Sequence, residues 1–193
     1  MFNNLDKYHV ILASQSPRRK ELLEKLGIDF EVRTLPDIPE DYPDGLSGKD
    51  IALFIATQKA RHYRAMMAEK DLVITADTIV CVDEKVLGKP KDAQEAADML
   101  RMLSGRSHQV ITAFTVSTLH TMKADSVTTN VRFAQLSDEV IDYYVSHFKP
   151  FDKAGAYGIQ EWIGCVGVES IEGSFFNVVG LPVQRLSSVL LTF

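Results

Sequence analysis

The stretch that most constrains this chain is DLVITADTIVCVD, residues 71–83. An apolar run of this length with almost no polar alternation reads as one long or two consecutive buried strands, at the centre of a sheet. One residue breaks the pattern. Asp77 sits in the middle of the run, where an ionised carboxylate is costly unless it is paired, hydrogen-bonded or bound to a metal. Asp77 is therefore either a structural ion-pair partner or part of a site.

The surrounding chain alternates strand and helix signals. HVILA (9–13) reads as a short buried strand. Ser16 then caps a helix whose first residue is Pro17, whose apolar stripe is Leu22, Leu23 and Leu26, and which Gly27 closes. FEVRT (30–34) alternates like a half-buried strand, and the proline-bearing loop 35–48 is long enough to suggest a functional role. Residues 50–70 read as one helix. A turn at Glu84–Lys85 and the loop LGKP follow the central run. Asp92 and Glu95 form a capping pattern for a helix ending at Ser104–Gly105. Alternation over 109–121 and 126–135 predicts an antiparallel pair; a helix at 138–147, a hairpin near VESIEGSFFNVVG and a helix from Pro182 complete the series. This order predicts an α/β fold, a mixed central sheet flanked by helices. A purely parallel Rossmann arrangement fits it poorly.

With 193 residues, 46% of them apolar and 24% charged, the chain can bury a core as one domain or two small lobes. A net charge of -5 opposes a dedicated nucleic-acid binder. Two cysteines, Cys81 and Cys165, cannot form a disulfide framework and read as buried thiols of a reducing compartment. The first fourteen residues carry Asp6 and a four-residue apolar run, too short for a signal-peptide core or a membrane span. We expect a cytoplasmic protein with no membrane or nucleic-acid partner.

Several residues have chemical potential. Arg18 and Arg19 occupy a first helical turn, where the dipole disfavours cations. With the Ser14 and Ser16 hydroxyls and the exposed helix N–H groups they form either a phosphate-binding corner or a solvated pair. Lys59 projects among Ala52, Ile55, Ala56, Tyr63 and Met66 on one helix face, so its stem either snorkels or reaches over the sheet into a cleft. Lys89, in GKP, suits a phosphate contact or a plain turn. DKAGAYGIQ (152–160) places Gly155, Ala156 and Gly158 around a tyrosine, which fits close approach to a ligand or, equally, a turn. Asp37 and Glu40 are loop acids, solvated or joined to a metal site. DGLSGKD fails as a P-loop, because Pro43 stands where the first glycine belongs and Asp50 replaces the hydroxyl. Nucleophile-elbow and dinucleotide-binding glycine motifs are missing, and the five histidines show no metal-ligand spacing.

LASQSPRRKELLEKLG, ADTIV, GKP, DKAGAYGIQ and VVGLP, in this order, resemble the Maf family of nucleoside triphosphate pyrophosphatases, also called septum formation proteins. The resemblance runs from about Leu12 to the terminal helix and implies a single Maf-like domain over 1–193. It implies a two-lobed fold similar to the inosine triphosphate pyrophosphatases, with a nucleotide cleft and often a homodimer. The implied reaction hydrolyses a nucleoside triphosphate to the monophosphate and pyrophosphate with a divalent cation, Mg²⁺ or Mn²⁺. By motif, Asp77 is the general base, Ser14, Arg18, Arg19, Lys59 and Lys89 contact phosphate, and Glu40 joins Asp77 at the metal. Arg18, Thr78 and Gln160 are similar to the specificity residues of the dTTP/UTP branch; the 7-methyl-GTP branch shows tryptophan, a different residue and an acid there. A glutamine amide, both donor and acceptor, matches a pyrimidine edge. Phe175, Phe176 and Trp162 depart from the family pattern and read as core aromatics. The other class, a nucleotide-binding regulator of septum formation without turnover, would have no need of the buried Asp77.

Overall fold

The computed structural model describes residues 1–36 and 38–193; Asp37, one of the loop acids, lies outside them. The described strands form one mixed sheet in the order β2-β1-β3-β5-β6-β7, with β4 paired to β3. The chain divides into two compact units, one of residues 1–77, 112–127 and 180–193, the other of 78–111 and 128–179.

In the first unit β1 (His9–Leu12) runs parallel to both β2 (Glu31–Val32) and β3 (Asp71–Val82), with Ile11 opposite Glu31 on one side and Val73 on the other. The 71–83 run is one strand, and Leu72, Val73, Ile74 and Ala76 are buried in it. The helices are α1 (Pro17–Glu24), α2 (Gly48–Arg64) and the terminal α7 (Val183–Leu190). Ser16 caps α1, its hydroxyl accepting from the Arg19 amide, and Pro17 takes the first helical position. Helix α2 stops six residues short of the expected end. The Asp71 carboxylate captures the Ala68 amide at 3.0 Å, and the Lys70 carbonyl accepts from the His9 amide, so the chain is already being fed into the sheet. Met66, expected on the helix's buried face, lies past its end and is 50% exposed.

In the second unit the end of β3 folds back on β4 (Lys85–Leu87), an antiparallel hairpin with Val80 opposite Leu87 and Asp83 at φ 52° in the turn. Then come α3 (Ala93–Leu103), β5 (Ser107–Ser117) and β6 (Met122–Phe133), whose residues 112–117 and 122–127 belong to the first unit, and α4 (Asp138–Phe148), α5 (Trp162–Gly167), β7 (Val168–Glu172) and α6 (Phe175–Val179). Leu87, Leu100, Leu103, Phe133, Ile141 and Tyr144 lie at the centre of this unit's core. The hairpin expected near 168–180 does not form: β7 pairs antiparallel with β6, and Phe175–Val179 is helical. Phe175 and Phe176 are 42% and 41% exposed rather than core residues. Cys81 is half-buried and Cys165 exposed, against the expectation of two buried thiols. No helix among the described residues is long and apolar enough to cross a membrane.

Candidate active site

Alternation along β3 puts Thr75 and Asp77 on the same face. The Thr75 hydroxyl donates to the Ala56 carbonyl of α2 at 2.7 Å and shares a 2.8 Å hydrogen bond with Thr115, pinning that helix to the strand. Lys59 lies one turn beyond Ala56, so the same docking carries it over Asp77. Its Nζ donates to Asp77 Oδ1 at 2.8 Å and to Glu40 Oε1 at 2.8 Å. Lys59 thus reaches a carboxylate pair rather than snorkelling to bulk water, and Asp77 is an ion-pair partner whose side chain keeps only 9% of its exposure. Burial pushes the Asp77 carboxyl above the usual carboxylate range, against the opposing pull of Lys59 and Arg19.

Arg19 is the second cation of this group. Its Nε donates to the Gly180 carbonyl at 2.9 Å, and its Nη1 to the Ala76 carbonyl at 2.9 Å and to Ser14 Oγ at 3.4 Å. Ser14 Oγ also accepts from the Ser16 amide at 3.2 Å. Desolvation lowers the guanidinium's pKa, with Asp77 opposing the shift; the group stays charged at any working pH. Arg18, half-buried, precedes it in the first turn of α1. The first unit therefore brings Ser14, Arg19, Glu40, Lys59 and Asp77 together, with Arg18 beside them.

The remaining three residues belong to the second unit. Thr78 follows Asp77 on β3 and is half-buried; Lys89 and Gln160 are exposed. Their loops are tied to each other, since the Gly155 amide donates to the Gly88 carbonyl at 3.0 Å. Gly155 has φ 69°, and a Cβ there would stand 3.0 Å from both γ-carbons of Val80, so only glycine lets this loop close on β3.

The donor set fits a hard divalent cation. Asp77 and Glu40 are two carboxylates converging on a single ammonium, and no cluster of three or more metal-ligating side chains occurs among the described residues. Mg²⁺ is commonly held in this way, by one or two carboxylates with substrate phosphates and water completing the shell. The carbonyls of Ala76 and Gly180, which hold Arg19, escaped the sequence reading; only the quoted VVGLP motif, whose Gly180 takes φ 132°, hinted at the second.

The Maf-like protein family matches residues 9–193. A dTTP/UTP pyrophosphatase of Bacteroides fragilis (strain YCH46) is 58% identical over 186 residues, covering 96% of each chain. That of Phocaeicola vulgatus is 57% identical over 190 residues, 98% of each, and that of Porphyromonas gingivalis (strain ATCC 33277) is 54% identical over 195 residues, 100% of this chain and 98% of the relative. A solved HAM1 protein from Coxiella burnetii aligns over 96% of this chain and 100% of its own, at 16% identity and a TM-score of 0.48. The family match and the near-full-length relatives agree with the order of motifs, and this chain belongs to the Maf-like protein family.

Proposed function

We propose that this chain is a dTTP/UTP pyrophosphatase, hydrolysing either nucleotide to its monophosphate and pyrophosphate. The observation that carries this reading is identity above one half, over essentially the whole chain, to relatives bearing that name. The buried Asp77 supports it, because a regulator that only holds nucleotide would gain nothing from a desolvated carboxylate inside a strand.

In this reading Asp77 orients a water and takes its proton as the oxygen attacks the α-phosphorus. The new O–P bond forms as the α–β bridging bond breaks and pyrophosphate departs. Arg18, Arg19, Lys59 and Lys89 balance the charge of the triphosphate, an electrostatic role that dominates such reactions. Ser14 holds Arg19 in place and faces the same phosphates. A Mg²⁺ or Mn²⁺ held by Asp77 and Glu40 would polarise phosphoryl oxygens when bound. Arg18, Thr78 and Gln160 read the base, the Gln160 amide pairing with a pyrimidine's donor and acceptor edge. The chain acts as one Maf-like domain in the cytoplasm, where two free thiols are stable.

The test is product analysis of the purified protein with Mg²⁺ or Mn²⁺ against dTTP, UTP, CTP, 7-methyl-GTP and ITP. Pyrophosphate and monophosphate released fastest from dTTP and UTP are expected. Nucleoside diphosphate as product would overturn the chemistry, a preference for 7-methyl-GTP or ITP the specificity, and binding without turnover the enzyme itself.

A further inference from the structure

Lys153 is a charge that the mechanism above does not use. Its side chain is only 8% exposed, and its Nζ meets Asp152 Oδ1 at 2.7 Å and Glu161 Oε1 at 3.0 Å. The other oxygen of Glu161 accepts a short hydrogen bond from the Tyr144 hydroxyl. That hydroxyl, fully buried on α4, in turn accepts from the Gly158 amide at 3.0 Å. The chain of contacts starts in the 152–161 loop, passes through a helix and returns to the same loop. Buried ion pairs add little net stability over apolar packing of the same shape, but they impose geometry.

What this frame encloses is the backbone that carries Gln160. A Cβ on Gly158 would stand 2.8 Å from Glu161 Cδ, 2.9 Å from Gln160 Nε2 and 3.0 Å from Lys153 Cε, so all three side chains crowd one bare stretch of backbone. From α5, a Cβ on Gly164 would stand 1.8 Å from the Ile159 carbonyl oxygen, so that helix backs directly onto the peptide leading into Gln160. Gln160 itself is exposed. Its direction therefore depends on the backbone and neighbours that the frame holds.

We propose that Tyr144, Lys153 and Glu161 are positioning residues that hold the Gln160 amide in one orientation and thereby set which pyrimidine the enzyme accepts. The inference rests on the reading of Gln160 as the base-facing group. An amide turned one way offers its oxygen and nitrogen in the order that suits thymine or uracil. Turned over, it suits cytosine, which presents the opposite pattern. An amide held in one pose distinguishes the two, and a free one does not.

The experiment compares kcat and KM for dTTP and CTP in the wild type, Tyr144→Phe, Glu161→Gln and Gln160→Ala, with thermal unfolding of each variant. Gln160→Ala is expected to abolish the preference for dTTP. Tyr144→Phe and Glu161→Gln should lower the dTTP-to-CTP ratio of kcat/KM about tenfold, the effect of one misdirected hydrogen bond. The loss should appear in KM for dTTP, with kcat changed less than about twofold. Tyr144→Phe combined with Gln160→Ala should lose no more selectivity than Gln160→Ala alone. Equal losses on both nucleotides, or lowered stability with the ratio intact, would overturn the positioning role while leaving Gln160's role standing. A ratio unchanged in Gln160→Ala would overturn the reading of Gln160, and this inference with it. Tyr144→Phe removes one hydroxyl and decides the matter if Glu161→Gln does not fold.

Discussion

Asp77 and Lys59 each break a local pattern, one an apolar strand and the other the buried side of a helix, and the structure pairs them at 2.8 Å. Lys59 and Arg19 oppose the burial that pushes this carboxyl upward, and removing its charge should cost chemistry more than folding. Asp77→Asn keeps an acceptor for Lys59, so the variant is expected to unfold cooperatively and bind dTTP by calorimetry within a few-fold of wild type. Pyrophosphate release should fall roughly 100- to 10,000-fold, the usual worth of a positioned general base. Turnover near the wild-type rate would remove Asp77 from that role. Anomalous side chains were legible in the sequence because charge inside an apolar pattern is a local signal. The carbonyls of Ala76 and Gly180 that seat Arg19 were not, since every residue has a carbonyl and nothing in its own identity says which one will be used.

Capping chemistry made the helices the best-read elements. Asp92 Oδ1 accepts from the Glu95 amide at 2.9 Å, the cap that D-x-x-E signals, and Glu95 Oε2 reaches back to the Lys91 amide, just before the cap, at 2.7 Å. Asp92→Ala should lower stability by about 1 kcal/mol. In urea this would appear as an earlier midpoint at unchanged m-value, with kcat for dTTP unaffected. The segment after β7 resembles the second arm of a hairpin because Gly173 and Ser174 suit a turn and the aromatic and β-branched residues that follow suit a strand. Two hydrogen bonds link Ser174 to Thr129, and the Asn177 amide donates to the Val110 carbonyl and Thr129 Oγ1 at 2.9 Å each. These distant partners draw residues 175–179 into a helical turn, and no window of local sequence contains them.

In the core of the second unit His108, Phe133 and Tyr157 meet edge to face, and His108 Nε2 shares a 2.7 Å hydrogen bond with the Tyr157 hydroxyl. Burial lowers the His108 pKa from 6.5 to about 4. Between those values the unfolded chain binds the additional proton, so stability is fully present above pH 6.5 and is lost as the pH falls toward 4. The loss attributable to this residue is about 3 kcal/mol. Urea unfolding from pH 7.5 to 4.5 should show a steeper fall in wild type than in His108→Phe; parallel curves would refute the assignment. At this scale the sequence by itself determined the central strand, the capped helices and the family, because a buried strand, helix caps and ordered motifs are all carried by residues near one another in the chain. The strand order, the partner of β7 and the convergence of Lys59, Glu40 and Asp77 were decided only by tertiary structure. Arg19 shows the physical reason, for its two backbone anchors lie 57 and 161 residues away, and contacts across such separations are selected by the packing of the whole sheet and its helices.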